Sequence, residues 1–593
     1  MSSIPAQMEK PQNGLAGLKH WKADILAGLM VSLTSLPLSL GIAVASGAPP
    51  ITGLTSAIIA GMIFPFLGGA YMTISGPAAG LAPALLTAML ALGHGDKAAG
   101  YPLLLAVICT VGIVQVVLSL AGAAKISAMF PVAVVEGMLA SIGFLIVIKQ
   151  IPYLLGTKFH SKEFFEMVQE IPEGFRNLDS KTFGVGLVCL ILMFVLHLNF
   201  IRKRIPVPPP LLVVVIGLLL GQLVGIDKQL LIQMPDNIRE HGITVPDFKG
   251  LFTDQSLIWI ALKSILVLVL IDGVESLATI KAIDKIDPYK RRSDPDRTLL
   301  AMGVSNVASS LAGGLTIIPG GVKSKVCINS GGKTLWANLY NAVFLVIFLF
   351  VAKDLIRLIP YSALAAILIY TGYKMFELRI WKHIAHVGIE QLAVFAFTIA
   401  ATLKEDLLVG IFAGMFLKFL INLFYVSRDT WTRAGRSLSF GEFAKYSLSN
   451  AAQLFRNPVV DRGMEKDTYH LQFDRPLVCF NSAALLGELD RVPPEAHNVV
   501  LYFRNGVAMI DHTTSDMLLH FAEEFEQSGR GHVEIQGLDR MKTRSKSPAA
   551  LRVADRKNQT PEPVPVKVAD SATQEIASAT QPGDSLENVQ SVD

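Results

Sequence analysis

From about residue 24 to residue 426 the chain is a succession of apolar runs, many close to 20 residues long, divided by short polar stretches. A bilayer's hydrocarbon core is about 30 Å thick and takes roughly 20 apolar residues to cross as a helix. In lipid every backbone N–H and C=O must be paired inside the protein, so runs of this kind are helices. Roughly fourteen segments can be read. The longer ones centre near Leu33, Ile59, Val111, Ile142, Leu190, Val215, Val269, Val304, Leu345, Ile367, Phe395 and Phe412. Two more, near residues 77–93 and 319–333, are interrupted by glycine and proline. Only 17% of the 593 residues are charged, against about a quarter in a soluble domain, which agrees with a lipid-embedded body. A net charge of +4 gives no case for nucleic acid as a partner.

Lys and Arg collect in cytoplasmic loops, and here they fall in clusters. Lys10, Lys19 and Lys22 precede the first span, and Arg202, Lys203 and Arg204 form a tight cluster. Lys281, Lys285, Lys290, Arg291, Arg292 and Arg297 form a second cluster, and Lys374, Arg379 and Lys382 a third. Arg428, Arg433 and Arg436 follow the last span. With fourteen crossings all of these share the side of the N-terminus, so both termini are expected in the cytoplasm of a multi-pass inner-membrane protein. Residues 1–23 read as a polar cytoplasmic segment rather than a cleaved signal. Cys109, Cys189, Cys327 and Cys479 are scattered, with neither metal spacing nor a disulfide framework, so no cofactor or metal is expected.

The transmembrane part is read as 24–426, in two halves of about 24–226 and 256–426. Residues 427–464 follow as a connector and 465–540 as a small soluble α/β unit. In that unit Tyr469–Phe473, Val499–Phe503 and His532–Gln536 alternate as strands, and Ala483–Leu489 and Ser515–Phe525 read as helices. From 541 to 593 Ser, Pro, Thr, Gln and charges dominate, the composition of a disordered tail.

The two interrupted segments carry the most mechanistic information. The first reads Thr73-Ile74-Ser75-Gly76-Pro77-Ala78-Ala79-Gly80-Leu81, and the second includes Gly313-Gly314-Leu315-Thr316-Ile317-Ile318-Pro319-Gly320-Gly321-Val322-Lys323-Ser324. Each is the third element of its half. Short broken segments in matching positions point to a transporter with repeated topology and a site near the midplane. A helix that begins inside the membrane turns free N–H groups and its positive dipole end toward the cavity, which favours an anion. The bland alternative is that these are packing glycines and ordinary loops. Lys323 would add a full positive charge, or else snorkel to an interface. Asp272 and Glu275 lie about 14 to 18 Å into their span if Trp259 and Lys263 mark its edge, and a spacing of three puts them on one helix face. Carboxylates at that depth suggest a coupling site for a proton or sodium ion, or a structural brace to a lysine.

The run from Leu36-Pro37-Leu38 to Gly47-Ala48-Pro49-Pro50, with Gly53-Leu54 and Ser75-Gly76-Pro77, resembles the opening of the SulP sulfate-permease family of anion transporters. Glu275-Ser276-Leu277, Gly313-Gly314 and Asn329-Ser330-Gly331-Gly332-Lys333-Thr334 are similar to its second half. Residues 465–540 resemble the family's cytoplasmic STAS domain, with Met509-Ile510-Asp511-His512-Thr513-Thr514 at its strand-to-helix turn. The resemblance implies an all-α polytopic fold of about fourteen helices in a seven-plus-seven inverted repeat, with core and gate domains, commonly as a homodimer. It implies a substrate site at Gly76, Pro77, Ala78, Ala79, Gly80, Gly321, Val322, Lys323 and Leu38, with Glu275, and substrates such as sulfate, bicarbonate, chloride or dicarboxylates. Leu38, Lys323 and the stretch Thr316–Pro319 depart from the family pattern in ways that bear on anion choice. In the STAS-like turn Ser515 stands where soluble relatives have glycine after their phosphorylated serine, so Thr513 and Thr514 are either regulatory or part of a passive scaffold with a cytoplasmic partner.

The expectation is a secondary active transporter of small inorganic anions, most of all sulfate, coupled to H+ or Na+. The alternatives are a bicarbonate or chloride carrier of the same architecture, an uncoupled anion channel, or a membrane sensor acting through the soluble unit. No nucleophile–base constellation or phosphate loop supports an enzyme.

Overall fold

The computed structural model describes residues 10–555 except 162, 203, 206, 234–243, 254, 434–439 and 528. Lys203, Arg436 and the expected tail beyond 555 therefore lie outside the described residues. The chain divides into two compact units, one of residues 1–385 and 389–418 and one of residues 386–388 and 419–593.

Among the described residues the fourteen expected segments are present, thirteen of them in the first unit and the last beginning there and running on into the second. The first half holds α1 (Trp21–Ala45), α2 (Pro50–Leu67), α3 (Ala82–Leu92), α4 (Lys97–Leu120), α5 (Val132–Leu155), α6 (Ser180–Leu196) and α7 (Pro209–Val224). The second half holds α8 (Gln255–Ile286), α9 (Pro295–Leu311), α10 (Gly321–Asn329), α11 (Trp336–Val351), α12 (Tyr361–Met375), α13 (Ile389–Lys404) and α14 (Leu407–Arg433). Prolines at the first or second position start α2, α7 and α9, where a missing N–H is harmless. Asp96 and Asp294 cap α4 and α9 through bonds to Ala98 N and Arg297 N. Six helices (α1, α2, α4, α5, α8 and α14) are long and apolar enough to cross a bilayer unaided. By contrast α3 and α10, at 11 and 9 residues, reach only about half-way at 1.5 Å per residue.

Helix contacts repeat between the halves. The α2–α11 contact is mirrored by α9–α4, α1–α10 by α8–α3, and α5–α13 by α12–α6. Each pair is the other with its seven-helix halves exchanged, which is the signature of a repeat. Most of the contacts fall in two groups, α1–α4 with α8–α11 and α5–α7 with α12 and α13, the core and gate layers, and α1 bridges them by packing on α7 and α12. Two amphipathic helices, Phe164–Arg176 and Leu378–Val387, follow the fifth span of each half; they are too short to cross, and no apolar run announces them.

The boundaries of the second unit need correction. The first strand is β3 (Val459–Glu465), which pairs antiparallel with β4 (Thr468–Phe473), so the domain begins inside the expected connector. β5 (Asn498–Phe503) and β7 (His532–Gln536) extend this sheet in parallel, giving the order β3-β4-β5-β7. Residues 541–555 are not tail: β8 (Met541–Thr543) and β9 (Arg552–Ala554) form a second sheet with β6 (Met509–Ile510). Ala550 and Leu551 are buried there, which an otherwise polar composition conceals. The connector itself is largely helical, with α14 running on to Arg433 and a further helix over Phe440–Gln453.

At the STAS-like turn Asp511 accepts from Cys479 N at 2.9 Å, Thr514 N at 3.0 Å and Thr514 Oγ1 at 2.9 Å. The Thr514 hydroxyl also donates to Leu477 O at 2.9 Å, and both Thr513 and Thr514 are buried. The Thr514 side chain is thus buried and hydrogen-bonded within the domain.

The corrected boundary is testable in the full chain by limited proteolysis. Ending the protein after Arg540 is expected to open the region 459–540 to cleavage, whereas ending it after Asp555 is expected to leave that region protected.

Candidate functional site

At the centre of the first unit the two interrupted segments meet. β1 (Ile74–Gly76) and β2 (Ile318–Gly320) pair antiparallel, with Ile74 opposite Gly320, Ser75 opposite Pro319 and Gly76 opposite Ile318. After β1 a short 3₁₀ turn at Ala79–Leu81 leads into α3, and after β2 the chain enters α10 directly. The antiparallel register shows that the two broken elements run in opposite directions, as inverted repeats require.

Extended backbone this deep survives only where the protein supplies its hydrogen bonds. Asn338 on α11 does so for β1: its Oδ1 accepts from Ser75 N at 2.9 Å and its Nδ2 donates to Thr73 O at 2.8 Å. Ser324 Oγ accepts from Ile74 N at 2.9 Å and donates to Gly320 O at 2.7 Å, which ties β1 to the start of α10. The lead into β2 is held by Ser56 Oγ, which accepts from Leu315 N at 2.6 Å. Tyr101 Oη donates to Gly313 O at 2.7 Å, and Asn306 Oδ1 accepts from Ile317 N at 2.6 Å.

A second buried network anchors the far end of α10. Asp24 accepts from Lys333 N at 2.7 Å, Thr334 N at 3.1 Å and Thr334 Oγ1 at 2.5 Å. Arg291 pairs with Asp287 at 2.7 Å and donates to Pro11 O and Lys333 O, both at 2.8 Å.

Two charged side chains flank the first half-helix entrance. Lys323 is 3% exposed, and its ammonium has no hydrogen-bond partner among the described residues. It lies against Gly76, where a methyl group would come within 2.6 Å of Nζ. Glu275 lies against Gly80, where a methyl group would come within 2.8 Å of the carboxyl carbon, and its Oε2 is likewise unpartnered among the described residues. Gly76, Pro77, Ala78 and Gly80 are buried between the two charges, with Ala79 half-buried. The first N–H groups of a helix have no partners within it. An anion at this turn would therefore meet those donors together with the Lys323 ammonium, while a proton or sodium ion could neutralise Glu275.

Not every expected residue joins this place. Val322 is 52% exposed, so it is not a wall of the cradle formed by Gly76–Gly80. Leu38 packs in an apolar cluster with Leu54, Ala57 and residues of α6, α7 and α12, and of these Ala57 abuts Gly76. The carboxylates of α8 do not share partners: Asp272 accepts from Gln115 Nε2 at 2.8 Å, so its brace is an amide and not a lysine. Sequence reasoning misses Asn338, Ser324, Ser56, Tyr101, Asn306 and Gln115. Gln115, Asn306 and Asn338 show in the sequence only as single amides among apolar or small neighbours, and Ser324, between Lys323 and Lys325, gives no such signal.

Paired half-helices on a repeated helical body define a multi-pass membrane transporter and not an enzyme. The model of the sulfate permease family matches residues 21–400, and the chain belongs to that family. It is 26% identical over 438 residues to the sodium-independent sulfate anion transporter of Bos taurus, covering 69% of this chain and 70% of that one. It is 24% identical over 410 residues to the bicarbonate transporter BicA of a Picosynechococcus species, covering 68% and 70%. In three dimensions it resembles the murine anion transporter Slc26a9 with a TM-score of 0.61 at 15% identity, over 90% of this chain and 86% of that one.

Two substitutions test this geometry. Asn338→Leu removes the partner of two buried backbone groups at about 1 to 3 kcal/mol each, so unfolding of purified protein should show a loss of about 2 to 6 kcal/mol. Gly80→Ala forces Glu275 aside and is expected to weaken equilibrium binding of a labelled inorganic anion roughly tenfold, a shift of about 1.4 kcal/mol. Gly184→Ala, where a methyl group meets nothing within 4 Å, should leave binding unchanged.

Proposed function

We propose that the chain is a secondary active transporter of small inorganic anions, sulfate foremost, that exposes a midplane site alternately to the two sides of the inner membrane. The observation that carries this reading is the Lys323 ammonium beside Gly76, without a hydrogen-bond partner among the described residues, set at the start of one half-helix and facing the start of the other. Gly76, Pro77, Ala78, Ala79, Gly80, Gly321 and Lys323 form the substrate cradle. Glu275 binds the coupling ion, a proton or Na+. With Glu275 ionised and empty, a dianion beside it is repelled; with the cation bound, the pair enters together. That difference is what ties the anion's passage to the gradient.

The names of two relatives support sulfate and bicarbonate in turn, and bicarbonate is the second reading. A cradle of N–H groups with one ammonium accepts either, since both present oxygen acceptors. Both termini lie in the cytoplasm on this reading, and the protein works as a homodimer in which the STAS-like unit serves as a contact surface for a cytoplasmic partner.

Proteoliposomes of purified protein test the reading. Labelled sulfate is expected to accumulate above equilibrium under an imposed proton or sodium gradient. Glu275→Gln should abolish accumulation while sulfate still exchanges down its own gradient. Lys323→Ala removes a charged hydrogen bond of about 1.5 to 3 kcal/mol and should raise the half-saturating concentration roughly 10- to 100-fold. Accumulation that survives Glu275→Gln would remove that residue from coupling, and accumulation of labelled bicarbonate alone would replace sulfate as substrate.

A further inference from the structure

Behind β2 a line of buried polar side chains runs from helix to helix. Ile317 N donates to Asn306 Oδ1 at 2.6 Å, Asn306 Nδ2 donates to Gln115 Oε1 at 2.8 Å, and Gln115 Nε2 donates to Asp272 Oδ2 at 2.8 Å. Asn306, Gln115 and Asp272 sit on α9, α4 and α8, and each is fully buried. The direction of the line is forced from one end. A backbone N–H can only donate, so Asn306 must turn its oxygen to Ile317 and its NH2 to Gln115. Gln115 must in turn present its oxygen to Asn306 and its NH2 to α8. The last position then requires an acceptor, and Asp272 supplies it. Bonds aligned head to tail in a medium of low dielectric strengthen one another, so loss of the last acceptor is felt at the first donor.

We propose that Asp272 is a positioning residue for the anion site. As the terminal acceptor of the line through Gln115 and Asn306, it fixes the placement of β2 and hence of Lys323 at the start of α10. This rests on the reading of Lys323 as the anion's cation. The two carboxylates of α8 then have separate roles, since Glu275 faces the cradle and Asp272 holds the scaffold. The position needs an acceptor and not a negative charge.

Hydrogen exchange on the full chain in nanodiscs, read in overlapping peptides across Gly313–Gly320, tests this beside sulfate uptake. Asp272→Leu and the isosteric Gln115→Met are expected to speed exchange at Ile317 by about tenfold or more and to raise the half-saturating sulfate concentration by a similar factor, with the maximal rate moving less. Asp272→Asn keeps an acceptor and is expected to rescue both, to within about twofold of the unaltered protein by the same scale. Gln115→Met carries the test should Asp272→Leu not fold. Unaltered Ile317 exchange in both apolar variants would overturn the proposal. So would an Asp272→Asn protein that keeps Ile317 protected yet no longer accumulates sulfate, because the charge would then be the function. Exchange is read without substrate, so a result against anion transport would leave this outcome legible.

Discussion

Everything in the membrane unit follows from the need to hydrogen-bond two short strands at a depth where no solvent does it. A helix satisfies itself; β1 and β2 do not, and three residue pairs between them leave most of their backbone polar groups over. Side chains from the surrounding helices take up the remainder: Asn338 and Ser324 for β1, Ser56, Tyr101 and Asn306 for the approach to β2. Most of these bonds join segments far apart in the chain. The same contacts that make non-helical backbone tolerable therefore weld α2, α4, α9 and α11 into one body around it.

Within that body the charge arrangement is unusual in being unresolved. A lysine and a glutamate buried in the membrane are expected to pair, since each alone costs several kcal/mol. Here Lys323 and Glu275 abut different glycines of one turn, and among the described residues neither charged atom noted above finds a hydrogen-bond partner. The absence of a Cβ at Gly76 and Gly80 is what lets them come so close to the backbone. Separation leaves each group without the other as its partner, where a direct salt bridge would occupy both.

The apolar runs make the helices legible because lipid imposes a length and a composition that few other environments do. The adjacent pairs Gly76-Pro77 and Pro319-Gly320 together disfavour helix, where a single internal proline such as Pro37 or Pro152 is tolerated, and they make the two broken segments legible. Their pairing as strands is not, since three residues are too few to show a period of two. Gln115, Asn306 and Asn338 are equally hidden: one amide in an apolar or small-residue stretch announces a polar contact but not its partner. Asp272 and Glu275 look alike by depth and spacing, and only the neighbours on α4 and at Gly80 distinguish them. The edges of the soluble unit escape notice at β3, a largely exposed edge strand, and at β8 and β9, which are only three residues long each.

The most direct test of the anion cradle is the position of a bound anion. Crystals of the full chain grown with selenate, an anomalously scattering analogue of sulfate, should show one anomalous peak in the membrane unit. That peak is expected within hydrogen-bonding distance of Lys323 Nζ and the backbone N–H groups of the turn at Ala78–Gly80. A peak elsewhere in the membrane unit, with Lys323 bonded to Glu275 instead, would contradict this placement.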